Sequence, residues 1–361
     1  MKINKFISIL NDIAPFFLQE SYDNSGIQFA DIDAEIDKVL LSLDVTEDII
    51  DEAIENGANV ILSHHPVFFF PVKSITKQQN PVLFKALSSK VNLVAMHTNF
   101  DLAENGLNDY VGKLLGIKKI GPIEESKEKI YKFAVYVPVD YADKVRDALF
   151  NAGAGRIGNY AETSFNIQGE GTFKPLKGTH PFLGEIDKRE NVKEIKVETV
   201  VPERNLKSII SAMKDAHPYE EPAYDIYEIK GNLPYGIGMI GNIEMQEIED
   251  FAEFVKTKLG ARYVRLIKSN KKDIEKVALC TGAGSSLIKK LIQEVDLYIT
   301  GDITYHTALS AQELGLNILD VEHFDTEKFF VDAMYERLVQ SGIPKEILVK
   351  SKRMRSPYEI L

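Results

Sequence analysis

Apolar residues at helical spacing, Phe6, Ile9, Leu10, Ile13 and Phe17, predict an amphipathic helix over residues 1–20. The polar segment Ser21-Tyr22-Asp23-Asn24-Ser25-Gly26 after it reads as a loop. Residues 39–45 predict a short apolar strand. Thr46, followed by Glu47 and Asp48, caps a helix that Asn56-Gly57 stops. Val60-Ile61-Leu62 predicts the next strand and runs directly into Ser63-His64-His65-Pro66. A helix near 81–89 leads to a third strand, 93–96, and then to His97-Thr98-Asn99-Phe100-Asp101. Near-continuous apolar strands alternating with helices predict a parallel sheet buried on both faces.

The pattern changes after the charged run Glu124-Glu125-Ser126-Lys127-Glu128-Lys129. A strand at 131–138, a helix at 141–152, strands at 161–169 and 194–201, a helix at 205–216 and a strand at 223–229 follow. That β-α-β-β-α-β order predicts a ferredoxin-like α+β unit, closed by Leu233-Pro234-Tyr235-Gly236. From Gly236 the α/β alternation returns. It gives helices at 245–260, 285–294, 305–315 and 326–341, and strands at 263–267, 276–280, 297–300 and 317–320. The expected class is α/β: a core of two α/β halves, residues 1–125 and 233–361, interrupted by an α+β insert domain at 126–232.

The 361 residues carry 43 Lys+Arg against 54 Asp+Glu, a formal charge of −11, which disfavours nucleic acid as a partner. Lys350, Lys352, Arg353 and Arg355 form the densest basic stretch and read as a solvated tail. Cys280 is the sole cysteine, so an intrachain disulfide and a cysteine-based metal site are excluded. A signal-peptide apolar region and a run of the ~18 apolar residues a membrane span needs are both missing, so a cytoplasmic protein is expected.

Of seven histidines, four (His64, His65, His97 and His323) fall at or just beyond predicted strand ends. That rim is where open α/β sheets bind ligands. His97 with Asp101, and His323 with Glu327, are spaced i, i+4, so each pair shares a face if a helical turn starts there. His64 and His65 are adjacent, so their side chains diverge, which suits two metal ions better than one. Imidazole and carboxylate together suit Zn, Mn, Fe or Ni, and a carboxylate can bridge two ions. A lone His near an acid in a chain with 54 acids is usually structural. Three separate strand-end clusters are a stronger signal.

These motifs carry a resemblance. Tyr22-Asp23-Asn24-Ser25-Gly26-Ile27-Gln28, Ser63-His64-His65-Pro66, Met96–Asp101, Thr300-Gly301-Asp302-Ile303-Thr304-Tyr305-His306 and Val321-Glu322-His323-Phe324-Asp325-Thr326-Glu327 occur in that order. Together they resemble the Nif-three-like family of dinuclear-metal hexamers, often called GTP cyclohydrolase I type 2 homologues. The segments Gly153–Tyr160 and His217-Pro218-Tyr219-Glu220-Glu221-Pro222 resemble the insert of its longer members, similar in fold to the PII and CutA trimers. The resemblance implies a toroidal homohexamer in which His64, His65, Asp101, His323 and Glu327 hold two divalent ions. Glu327 would bridge them, and His97 would lie beside them as an occasional ligand or a group supporting one; in the hydrolase hypothesis, His97 is the proton shuttle.

Other candidates have bland readings beside the functional ones. Thr281-Gly282-Ala283-Gly284-Ser285-Ser286, between a strand and a helix, is a phosphate cradle or a plain tight turn. Asp302 and His306 face the metal cavity or start a helix. Asp23 and Asn24 orient a ligand His or cap a loop. His217 with Glu220 and Glu221 binds a cation or forms a proline-flanked corner. Gly153–Gly158 is an effector loop or a turn, and Cys280 is core. Two functions remain open. One is a metal-dependent hydrolase acting on a nucleotide-like or phosphorylated small molecule. The other is a regulatory or scaffolding metal-binding hexamer whose insert binds an effector or partner.

Overall fold

The computed structural model describes every residue except 127, 158–159, 231–234 and 361. The chain divides into two compact units, Met1–Ser126 with Leu233–Leu361, and Lys127–Asn232. The Leu233-Pro234 part of the closing segment and the Gly158 end of the Gly153–Gly158 loop lie outside the described residues.

The first unit holds two main sheets. One is ordered 26–29, 92–95, 60–63, 39–42, 348–350, and the other 264–267, 317–321, 297–300, 273–279, 239–247, 118–121. Pairing is parallel from 92–95 through 348–350 and antiparallel at 26–29. In the second sheet only 273–279, 297–300 and 317–321 run parallel, and both flanks are antiparallel. The sheets are therefore mixed at their edges, a correction to the parallel sheet expected from the apolar runs. Those runs are the central strands, buried at every position in 39–42, 60–63, 92–95, 297–300 and 317–321. Both sheets contribute to one core that includes Phe6, Val60, Val94, Val277, Leu297 and Phe330.

Several boundaries differ from the sequence reading for local reasons. The first helix spans Ile3–Ile13. Ala14, preceding Pro15, is pushed to φ −147° and ψ 100°, because a residue before proline is disfavoured in the α region. The expected helix at 326–341 is two pieces, His323–Glu327 and Phe330–Gln340. Thr46 caps the helix Glu47–Glu55, its Oγ1 accepting the Ile49 N–H. The basic stretch keeps its basic side chains exposed, as a solvated segment would, but its backbone is anchored. Strand 348–350 pairs with 39–41, Lys350 meets Asp332, Arg353 meets Glu55, and Arg355 meets Asp48. Buried Glu52 accepts from the Ser351 hydroxyl and the Lys352 N–H.

The second unit has strands 130–138, 165–173, 190–202 and 224–229 and helices 142–151 and 206–216. They follow a β-α-β-β-α-β order, with an antiparallel sheet ordered fourth, first, third, second. Its core packs Phe133, Val135, Val197 and Val201 against Val145, Leu149, Ile209 and Met213.

Candidate metal centre

The loops that leave the carboxyl ends of the parallel strands carry the chemistry. His64 and His65 follow strand 60–63, His97 follows 92–95, Asp44 follows 39–42, Asp302 follows 297–300, and His323 follows 317–321. Short helices Thr98–Leu102 and His323–Glu327 then place Asp101 and Glu327 one turn beyond His97 and His323.

Each of these four imidazoles is anchored through Nδ1. His64 Nδ1 is 2.8 Å from the Met96 carbonyl oxygen. His65 Nδ1 is 2.7 Å from Asp44 Oδ1, His97 Nδ1 is 2.7 Å from Asp23 Oδ1, and His323 Nδ1 is 2.7 Å from Asp302 Oδ2. Carbonyls and carboxylates only accept, so each Nδ1 carries the proton. The lone pair of every neutral ring is thereby assigned to Nε2, the arrangement seen behind metal-ligating histidines.

The Nε2 atoms turn toward buried carboxylates. Glu327 Oε2 lies 2.9 Å from His65 Nε2 and 2.7 Å from His323 Nε2, and Glu327 Oε1 lies 3.8 Å from His64 Nε2. Asp101 Oδ1 is 3.7 Å from His64 Nε2. His64 Nε2 and Asp101 Oδ1 are buried without a hydrogen-bond partner, at 3.7 Å from each other, while Glu327 Oε2 is gripped by the His65 and His323 rings. Unpaired buried polar atoms are costly, so a converging set of them fits a cation. Two groups have ligand atoms within 4.8 Å of one another, His64–His65–His97 and His65–His323–Glu327, and either could hold a metal ion.

Electrostatics agree with this. Burial alone depresses His65, but the carboxylates of Asp44 and Glu327 outweigh it and push its pKa up to about 10. Burial likewise opposes His323, which Glu327 and Asp302 raise to about 9. Burial raises Asp101, whereas Glu327 is held well below the usual carboxylate range by the surrounding imidazoles despite its burial. Asp23 is also held low, against its burial, by hydrogen bonds from His97, Thr98 and Ser25. In the metal-free protein at neutral pH, His65 and His323 are imidazolium. Each must lose a proton before Nε2 can donate. Metal affinity is therefore expected to rise with pH across the neutral range, with about two protons released per fully loaded site at pH 7. Calorimetry in buffers of different ionisation enthalpy measures this, and pH-independent affinity contradicts it.

The glycine loop after strand 273–279 packs against this site as a tight turn. Three of its N–H groups are engaged by side chains: Thr281 N–H by Asn108 Oδ1, Gly282 N–H by Thr326 Oγ1 and Gly284 N–H by Thr300 Oγ1. Asn108 also donates to the Asp101 carbonyl, tying the loop to the ligand helix. Gly282 sits at φ +63°, and a Cβ there would lie 2.0 Å from Glu327 Oε1 and 3.2 Å from His323 Nε2. Gly282→Ala is expected to cost ~1–3 kcal/mol and to displace Glu327. Thermal unfolding together with metal content checks this, and an unchanged protein contradicts it.

Asp44 is a residue the sequence reading passed over. The available signal was a carboxylate just past a strand whose parallel neighbour ends in His65. Asp23 takes the orienting role that was one of its two readings, and Asp302, read as facing the cavity or starting a helix, orients His323 in the same way. Asn24 donates to the Phe68 carbonyl and to Gln28, a loop-bracing role. His306 is exposed beside Tyr305. In the second unit, His217 accepts the Tyr219 N–H at Nδ1 and donates from Nε2 to the Tyr136 carbonyl, which makes it a structural corner. Cys280 is buried, its thiol pushed up to about 12 by that burial.

Fold and cluster together define a mixed α/β protein with a strand-end histidine–carboxylate site able to take metal. Residues 1–355 match the family model Duf34/NIF3 (NGG1p interacting factor 3), and the chain belongs to that family. It is 38% identical to a Halalkalibacterium halodurans protein named GTP cyclohydrolase 1 type 2 homolog, over 96% of this chain and 93% of that one. A Bacillus subtilis protein of the same name is 36% identical over 92% and 91% of the two chains. A solved Bacillus cereus protein related to NIF3 superposes with TM-score 0.84 at 33% identity, covering 100% of this chain and 99% of that one. A Staphylococcus aureus structure gives TM-score 0.82 at 30% identity, with the same coverage.

Proposed function

We propose that the chain is a dinuclear metal-dependent hydrolase acting on a nucleotide-like or phosphorylated substrate. The observation that carries this reading is the convergence of the Nε2 atoms of Nδ1-anchored imidazoles on the buried carboxylates of Glu327 and Asp101. His64, His65, Asp101, His323 and Glu327 would hold two divalent ions (Zn, Fe, Mn or Ni). The overlap of the two ligand groups at His65, with Glu327 Oε2 between His65 and His323, supports a pair bridged by Glu327. Such ions supply Lewis acidity toward a substrate oxygen and make water a nucleophile near neutral pH.

The chain's own residues supply the rest. Asp23 fixes the His97 ring and its tautomer, leaving Nε2 to take up and return a proton at the reacting face. Phe69, 5.8 Å from the His97 ring, offers a partly exposed apolar wall for a planar substrate. The name borne by the relatives supports a guanine nucleotide as the first substrate to try. A cytoplasmic homohexamer with a PII- or CutA-like insert belongs to the same reading. The β-α-β-β-α-β topology of the second unit supports that insert.

Metal-reloaded protein incubated with nucleotides and phosphoesters tests the proposal. Metal-dependent turnover is expected, with His97→Ala lowering kcat by about 10²–10⁴ and Asp23→Asn lowering it less. Turnover that survives complete metal removal, or none with any substrate, overturns it. The second outcome favours the regulatory reading, for which the cavity described next is the supporting observation.

A further inference from the structure

The sheet of the second unit has two faces. Val135, Val137 and Val197 pack beneath the helices. Tyr136, Glu194 and Lys196, at alternate positions, lie on the opposite face. There they line a cavity of about 610 Å³, with Phe173, Phe182 and Tyr219 as further wall residues. The three rings form one aromatic surface, with centroids 5.6 Å apart for Phe173–Tyr219 and 6.3 Å for Phe182–Tyr219.

Glu194 is the unusual member. It is only 9% exposed, and the tyrosyl hydroxyl of Tyr219 donates to Oε1 at 3.1 Å. A Cβ at Gly171 would come within 2.1 Å of Glu194 Oε2, so the absence of a side chain at 171 is what makes room for this carboxylate. Burial raises its pKa, the mark of a carboxylate removed from water and given no charged partner. Glu220 and Glu221 add negative charge to the lining. Among the described lining residues Lys196 is the one lysine or arginine, and its ammonium is already engaged by Glu198 at 2.5 Å.

We infer that this cavity binds a small organic cation, its planar or aliphatic body against Phe173, Phe182 and Tyr219 and its amidinium or ammonium held by Glu194. Ring faces attract cations, and a cation donating to a buried carboxylate makes a charge-assisted hydrogen bond. A neutral ligand of the same shape gains only the ring contacts, and an anion meets four carboxylates, Glu170, Glu194, Glu220 and Glu221. The inference is independent of the metal cluster.

Calorimetric titration of the full-length protein with benzamidine, its neutral isostere benzamide, and benzoate tests it. Benzamidine is expected to bind at least about tenfold more tightly than benzamide, with benzoate weakest. Glu194→Gln removes the preference for benzamidine over benzamide. Phe182→Ala weakens both ligands and keeps the preference. Circular dichroism and metal content confirm that each variant is folded. The ranking in the unaltered protein stands as a test even if a variant fails to fold. Equal binding of benzamidine and benzamide, no benzamidine binding at about 10 mM, or an unchanged preference in a folded Glu194→Gln protein overturns the inference.

Discussion

His64→Ala/Glu327→Ala protein is expected to bind divalent metal at least about 100-fold more weakly than the parent, and to lose any hydrolytic activity with it. Glu327 is buried among three imidazoles, its Oε2 within 3 Å of two Nε2 atoms. His64 is fully buried and locked by the Met96 carbonyl, so its Nε2 has no alternative direction in which to point. Orienting partners alone typically affect metal affinity 10–100-fold, and two direct donors should exceed that. Removing both together also avoids leaving Glu327 as an unbalanced buried charge beside the remaining rings. Elemental analysis after dialysis reads the result. Metal retained at parental stoichiometry would show that the ions lie elsewhere.

The largest stability effect is expected at Phe330. Its side chain is 0% exposed at the start of helix 330–340, with ring centroids 4.9 Å from His64 and 5.6 Å from Phe100. It forms the apolar floor under the imidazole and belongs to the core shared by both sheets. Phe330→Ala removes this floor and leaves a cavity, a change that costs ~3–5 kcal/mol in comparable cores. His64 would also lose the packing that holds its ring against the Met96 carbonyl, so metal affinity falls along with stability. Denaturant unfolding of the metal-free protein isolates the first effect. A loss below ~1 kcal/mol would mean that the site relaxes around the gap and that Phe330 does not support it.

Much of the site was legible because its residues sit at strand ends, where one strong periodic signal fixes their place. The apolar runs 60–63, 92–95 and 317–321 mark the strands, and the histidines follow them directly. The i, i+4 pairs needed only a short turn to share a face, and the helices 98–102 and 323–327 provide it. Asp44 was hidden because its relation to His65 depends on strands 39–42 and 60–63 being parallel neighbours in register. The role of the 281–284 loop depended on which side chains had already taken its N–H groups, a tertiary fact. Strand 348–350 is too short to carry a periodicity, and it is a strand because residues 39–41 lie beside it. Strand 239–247 was read partly as helix. Its apolar positions are few, and six of its nine residues, Ile240, Asn242, Glu244, Met245, Gln246 and Glu247, are exposed or only partly buried.

Diffraction from crystals soaked in manganese or zinc salts, collected at the metal absorption edge, tests the central claim most directly. The account predicts two anomalous peaks within bonding distance of the Nε2 atoms of His64, His65 and His323, with Glu327 between them. Peaks absent from this cluster, or a fully loaded protein whose metal sits elsewhere, would contradict it.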